Sequence, residues 1–347
     1  MGREGFALIA VLWLLVALSA VGMHAALETR TERLASANLL DQARSREVAL
    51  AGSEYARSRL TAALLDRAEQ LRSEVQSSQN RAGGGRSRTQ SVQSMFRSSD
   101  PIDDPWTDPA GLVVQEMVLG DARFTLYLRD ADAALNPSGA DAEMLTNFFS
   151  QGLGLDYAAA DRLAQSILDW QDEDDLPRIG GAESEEYLEA GAAILPPNRP
   201  FGRIEELRYV LGMTQEIYDA AAPHLTLLSS GRINVNAAPE EVLLAAPGMT
   251  PAIAQEIQQL KNTGYYARDF EQLLSGLSPS SRGQLSAVQR RLNARLSFRT
   301  DQVEIVSEGG VEGSAIRTRV RMIVGQRIQT EGGVANVGAV VLAKEID

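Results

Sequence analysis

The sequence predicts an α+β protein: a long N-terminal helix, an antiparallel sheet, and a large helical insertion that divides the sheet in sequence. Three observations carry that prediction. Residues 6–75 contain no proline and are rich in Ala, Leu, Glu and Arg. Strand-like apolar runs occur only in 111–135 and 294–347, and everything in 136–293 reads helical. The economical architecture is therefore one sheet-containing domain interrupted by a helical domain.

Composition narrows the function classes. With 347 residues, 44% hydrophobic and 23% charged, the chain can bury one large core or two modest ones. Lys and Arg total 33 against 46 Asp and Glu, a net charge of -13, and such a field repels phosphate backbones. The absence of cysteine excludes disulfides and thiolate chemistry. The two histidines, His24 and His224, are far apart in sequence and offer little for a histidine-based catalytic site.

The first element begins with "GFALIAVLWLLVALSAVG" from Gly5. No charged side chain occurs from Phe6 to Leu27, and at ~1.5 Å per residue this run gives roughly 33 Å of helix, enough to cross a membrane. Only Arg3, offset by Glu4, supplies a basic group ahead of it, and no small-residue cleavage site follows, so it does not read as a removable secretory signal. The helix is expected to run on into water, laying Val48, Ala51, Tyr55, Ala62 and Leu65 on the globular part, with Gly52 as a point where it can bend. Residues 76–110 are polar and rich in Gly, Ser and Arg, the composition of a linker or loop.

The strands come next. "LVVQEMVLGDARFTLYLRD" offers two strands joined at Gly120-Asp121, a hairpin signal. "QVEIVSE", "AIRTRVRMIVGQR" and "ANVGAVVLAKEI" supply the rest near the far end. Within the insertion, the triplet GMT recurs at 212 and 248, each time after an apolar run and before a new helix, and "FEQLLSGLSPSSRGQL" repeats the logic more loosely. "LNPSGADAEML" and "INVNAAPEEVL" share an extended Asn followed by a helix start, a wider duplication. Helix-hairpin-helix DNA binding is the alternative use of such hairpins. Against it, residues 232–262 carry Arg232 and Lys261 against Glu240, Glu241 and Glu256, a net of -1.

The densest charge lies in "LDWQDEDDLPRIGGAESEEYLEAG", where nine carboxylates face Arg178 alone. Asp172, Asp174, Asp175, Glu183 and Glu186 are the candidate ligands of a hard cation such as calcium, which takes six to eight oxygens in irregular loops. The Gly-Gly turn returns the second acidic cluster towards the first, and Trp170 and Tyr187 anchor it to a core. A solvated acidic loop is the competing reading. No GxSxG, P-loop, HExxH or His/Cys pair is present, so nothing identifies an enzyme.

A short polar leader ending in Gly5, then Phe6 and an apolar helix that becomes amphipathic, resembles the N-terminus of type IV pilins and type II secretion pseudopilins. In those families a prepilin peptidase cuts after the glycine and the new N-terminus, here Phe6, is methylated, so the helix is kept. Most pilins carry Glu at the fifth mature position; this chain has Ala10. A buried ammonium without a carboxylate partner is costly, which favours the uppermost place in a stack. That departure, with the acidic "DWQDEDDLPRIGGAESEEY" and "RINVNAAPEEVL", resembles the K-type minor pseudopilins. The resemblance implies leader 1–5, a helix over 6–75 that spans the membrane at 6–27, and a pilin-like domain over 111–135 and 294–347. The insertion at 136–293 would be SAM-like. It also implies bound calcium, I-type and J-type pseudopilin partners with an H-type one, and an inner-membrane anchor with the bulk in the periplasm. No enzyme activity and no nucleic-acid partner are expected. The alternatives are a membrane-anchored DNA-binding or uptake protein and, behind it, a calcium-dependent extracytoplasmic enzyme.

Overall fold

The computed structural model describes residues 3–81, 106, 113–331 and 334–346. The expected linker at 76–110 lies largely outside the described residues. Helix α1 runs from Arg3 to Arg81 as one α-helix. The hairpin follows, with β1 (Glu116–Leu119) and β2 (Ala122–Asp130) joined at Gly120, whose φ of +66° suits a tight turn led by glycine. The chain then leaves the sheet and returns as β5 (Gln302–Val311), β6 (Arg317–Glu331) and β7 (Val334–Ile346). The order is β1-β2-β5-β6-β7, antiparallel throughout, so the insertion emerges between two adjacent strands.

The second half of α1 lies on this sheet, but not by the expected face. The residues it buries are Ser45, Ala49, Gly52, Ser53, Ala56, Leu60, Leu64 and Ala68. Ala51 and Leu65 are exposed, while Val48 and Tyr55 pack at the margin of the core. The reason is close approach. A Cβ on Gly52 would fall 2.8 Å from the Phe124 ring and onto the Ser307 hydroxyl, and one on Gly309 would fall 2.9 Å from Ala49 Cβ. Small residues bring helix and sheet together, so hydrophobicity alone marks the wrong stripe. The helix passes through Gly52 uninterrupted, and that glycine lets the helix lie against Phe124 and Ser307. Beneath it lie Phe124, Leu126, Val303, Ile305, Met322 and Val324, with Trp106 donating its indole N–H to Leu60 O.

The insertion has its own core and is not wholly helical. Its helices are α2 (Ala142–Asn147), α3 (Tyr157–Gln171), α4 (Ser184–Glu189), α5 (Gln215–Ala221), α6 (Glu240–Leu243), α7 (Pro251–Asn262), α8 (Phe270–Gly276), α9 (Pro279–Ala287) and α10 (Gln289–Arg295). Two short parallel pairings accompany them: a bridge between Leu135 and Leu225, and β3 (Ile233–Asn234) with β4 (Leu296–Ser297). These pairings close the two halves of the duplication. In each half the Asn at the start binds its own turn in the same way: Asn136 Oδ1 accepts from Ser138 N–H, and Asn234 Oδ1 accepts from Asn236 N–H. The Asn136 and Asn234 carbonyls likewise each accept two turn amides, from Gly139 and Ala140 and from Ala237 and Ala238.

The GMT turns are also alike. Gly212 and Gly248 have φ of +91° and +72°, and Thr214 and Thr250 accept from the N–H of Ile217 and Ile253, capping α5 and α7. The Gly248 turn lies against Val288, 2.8 Å from where a Cβ would stand, which supports a packing role for this hairpin.

A polar clasp joins insertion to sheet. Asp130, the last residue of β2, accepts from Asp132 N–H (2.8 Å), Thr300 Oγ1 (2.7 Å) and Asn234 Nδ2. Asp132 in turn accepts from Ser230 N–H and Oγ, both at 2.8 Å. The clasp is buried, and burial pushes the Asp130 carboxyl up to about 6 despite its three donors.

Candidate metal centre

The acidic stretch occupies the end of α3, the loop after it and the start of α4. Helix α3 starts at Asp156, whose side chain caps the N–H groups of Ala158 and Ala159. Its core face carries Ala160, Leu163, Ala164, Ile167 and Trp170, and Asp169 falls on that same face, fully buried. Trp170 stacks on Phe201 with an interplanar angle of 6° and a centroid distance of 6.2 Å, and tilts against Tyr187 at 5.8 Å. The Tyr187 hydroxyl accepts from Leu211 N–H at 2.8 Å, fixing α4 to the rest of the core. Gly180, at φ +84°, and Gly181 turn the loop back. A Cβ on Gly181 would collide with the Asp169 carboxylate, so only glycine lets the backbone pass this close.

Three carboxylates converge: Asp169, Asp172 and Glu183 offer oxygens that all lie within 4.8 Å of one another. Asp172 Oδ1 is buried and accepts no hydrogen bond, Asp169 Oδ1 is buried with the Arg178 ion pair alone, and the buried Glu183 carboxylate has only the backbone N–H of Glu186, in the capping box of α4, beside it. Arg178 lies beside two of them, 3.1 Å from Asp169 Oδ1 and, through another nitrogen, 3.1 Å from Asp172 Oδ2. Three negative charges and one positive leave -2, the charge a divalent cation cancels. Burial first, and then the neighbouring Asp169 and Asp172 charges, together raise the Glu183 carboxyl to about 7. The Asp169 carboxyl is raised as well, again chiefly by burial. Buried carboxylate oxygens with fewer donors than lone pairs, at this spacing, suit a hard cation, which repays the cost of their desolvation.

The other sequence-expected ligands are engaged elsewhere. Asp174 Oδ1 accepts from Leu176 N–H, Asp175 Oδ1 from Asn198 Nδ2, and Glu186 Oε2 from Glu183 N–H at 2.9 Å. Of the five candidates, the structure brings Asp172 and Glu183 together and places Asp174, Asp175 and Glu186 outside the cluster. Asp169 is the addition. Its signal was an acidic residue at core-facing helical spacing beside Trp170, a position where an unpartnered charge is expensive. Gly5, Phe6 and Ala10 lie within the backbone of α1.

Comparisons with known proteins give similarities of sequence and of fold. Residues 125–230 match the family model described as type II secretion system (T2SS), protein K. The chain is 27% identical over 135 residues to type II secretion system protein K of Klebsiella pneumoniae, covering 35% of this chain and 41% of that protein. It is 30% identical over 102 residues to protein K of Dickeya chrysanthemi, 29% of this chain and 26% of that one. Against the putative protein K of Escherichia coli strain K12 it is 28% identical over 163 residues, 43% and 48%. The chain thus aligns with less than half the length of the curated relatives it matches. In fold it is similar to a chain of the GspK-GspI-GspJ complex from enterotoxigenic Escherichia coli, with a TM-score of 0.53 and 18% identity, covering 81% of this chain and 99% of that one. The part of the chain that matches the family model of type II secretion system protein K, residues 125–230, is thus the part that holds the end of the hairpin, Asp130, Asp132 and Ser230 of the clasp, and the candidate metal centre.

Proposed function

We propose that this chain is a minor pseudopilin of a type II secretion system, held in the inner membrane by the Phe6–Leu27 part of α1 and carrying its bulk in the periplasm. In this reading a prepilin peptidase cuts after Gly5 and the new N-terminus at Phe6 is methylated. The chain then joins I-type, J-type and H-type pseudopilins at the tip of the pseudopilus and helps to start its assembly. Ala10 leaves the chain without the carboxylate that would neutralise a neighbour's ammonium, which suits the uppermost position.

The observation that carries the reading is the division of α1 together with the family match over 125–230. The half beyond Ser45 is committed to the sheet, whereas Leu12, Trp13, Leu14, Leu15, Val16 and Leu18 are all more than half exposed. Among the described residues, this is one helix long and apolar enough to cross a membrane. An apolar rod free of its own domain is suited first to lipid and then to partner helices. The GspK relative is named in a complex with GspI and GspJ, which supports the choice of partners.

Calcium belongs to the same proposal. Asp169, Asp172 and Glu183 would hold the ion, Arg178 would balance the remaining charge, and the ion would fix the 172–183 loop against α3. Co-expression of the tagged full chain with the I-type and J-type pseudopilins of its own system, followed by detergent extraction, tests the assembly. A single stoichiometric complex is expected; elution of the chain alone, with both partners present and folded, contradicts the reading.

A further inference from the structure

The loop between α3 and α4 has its polarity reversed. Its cation turns inward: Arg178 donates its backbone N–H to Asp169 Oδ2 at 3.1 Å and sets its guanidinium 3.1 Å from both Asp169 and Asp172. Its aliphatic groups turn outward, with Leu176 76% exposed and Ile179 98% exposed. Hydrogen bonds hold the loop in this form. Asp174 Oδ1 accepts from Leu176 N–H at 2.9 Å, and Arg178 O accepts from Gly181 N–H at 2.9 Å. Asn198 Nδ2 donates to Asp174 O at 3.0 Å and to Asp175 Oδ1 at 2.8 Å. That tie brings the chain just after the exposed Ile194 and Leu195 against the loop. Five of the seven large apolar side chains that the insertion exposes fall between 176 and 195, so they are concentrated in this stretch instead of scattered singly.

The charge exposed with these side chains has one sign. Asp169, Asp172 and Glu183 converge on one another and Glu186 caps α4, which leaves Glu173, Asp174, Asp175, Glu185 and Glu189 exposed. Arg178, with its guanidinium on Asp169 and Asp172, is the one basic residue from Leu168 to Gly191. An apolar tip in an acidic surround selects its complement, an apolar pocket in a basic one, and resists surfaces of like sign. Anionic lipid headgroups carry the wrong sign for it. A symmetric pairing of two such tips would set carboxylates against carboxylates.

We infer that the 172–183 loop is a docking tip, which inserts Leu176 and Ile179 into an apolar pocket of a partner protein whose rim carries lysine or arginine. The hydrogen bonds that already hold the loop lower the ordering cost of docking, and the acidic surround steers the encounter. The inference does not depend on the pseudopilin reading.

The test replaces Ile179 of the full chain with the photoreactive amino acid p-benzoylphenylalanine, irradiates its own cells, and identifies the adducts by mass spectrometry. One protein adduct is expected, and the attached peptide should combine apolar residues with Lys or Arg. Glu173→Lys together with Glu189→Lys should lower its yield by at least about fivefold, and so should Leu176→Ser alone. All three positions are exposed, and Glu189 ends α4, where a lysine suits the helix, so these variants are expected to melt as the parent does. The same label at Tyr157, exposed on the insertion but outside the stretch, should not give this adduct. A phospholipid adduct, an adduct to a second copy of the chain, an attached peptide without Lys or Arg, or no adduct overturns the inference. A yield unchanged by the variants, or equal from Tyr157, overturns it too.

Discussion

Removing calcium at neutral pH should loosen the insertion, and the size of the effect follows from Glu183. In the metal-free fold its carboxyl is raised from 4.5 to about 7, chiefly by burial and then by Asp169 and Asp172. An acid whose folded value lies above its unfolded one gives stability that is fully present below the unfolded value and lost as pH rises through the folded value. For Glu183 the window is therefore 4.5 to about 7, and the loss is about 3 kcal/mol at 1.36 kcal/mol per pH interval of one. A bound cation takes over the proton's role above that window. At a free concentration of about 100 Kd it returns about 2.7 kcal/mol, close to what ionisation removed. For a unit of the insertion's size, at about 2–4 °C per kcal/mol, the melting transition should fall by roughly 5–10 °C on chelation at pH 7.5. The assay is near-ultraviolet circular dichroism of the full chain in detergent, with calcium or EGTA, from pH 5 to 8. The gap between the two curves should narrow towards pH 5, and Glu183→Gln should raise the metal-free transition at pH 7.5 while abolishing the calcium effect. Identical transitions with and without calcium at pH 7.5, or a metal-free transition that climbs between pH 5 and 8, refute the reasoning.

Other perturbations probe other links. Gly52→Leu places a side chain where the Phe124 ring and Ser307 already stand; it should destabilise the helix–sheet unit by about 3 kcal/mol or more, seen as a lower melting point with the insertion's transition unmoved. Asp130→Ala leaves Asp132 N–H, Asn234 and Thr300 without their acceptor and should cost about 3 kcal/mol in the same measurement. Ala10→Glu should leave the chain in the membrane but lower recovery of the complex with I-type and J-type partners and reduce secretion; an unaltered complex shows that this position does not set the place in the stack.

How much was legible beforehand depended on what each residue signals. The strands announced themselves through β-branched runs, and the hairpin through Gly120-Asp121. The GMT turns were readable because a glycine in left-handed conformation followed by a capping threonine is local chemistry. The α1 contact face was not, since Ser45, Ala49, Gly52 and Ala56 are selected by how closely Gly309 and Ser307 approach. That is a property of the partner strand, invisible in the helix itself. The short parallel pairings of Leu135 with Leu225 and Ile233 with Leu296 are long-range events of one or two residues each. In the acidic stretch, composition located the region but not the ligands. Charge density favours the exposed Asp174 and Asp175, whereas convergence depends on which carboxylates the fold buries. Asp169 is chosen by its place on the core face of α3, and Gly181 by the room it leaves for that carboxylate.

The proposed pseudopilin role requires an apolar helix that is retained after processing and begins at Phe6. Intact-mass and N-terminal peptide mass spectrometry of the chain purified from its own membranes reads this directly. A mature polypeptide starting at methylated Phe6 is predicted. A chain still beginning at Met1, or one beginning beyond Leu27, contradicts the account.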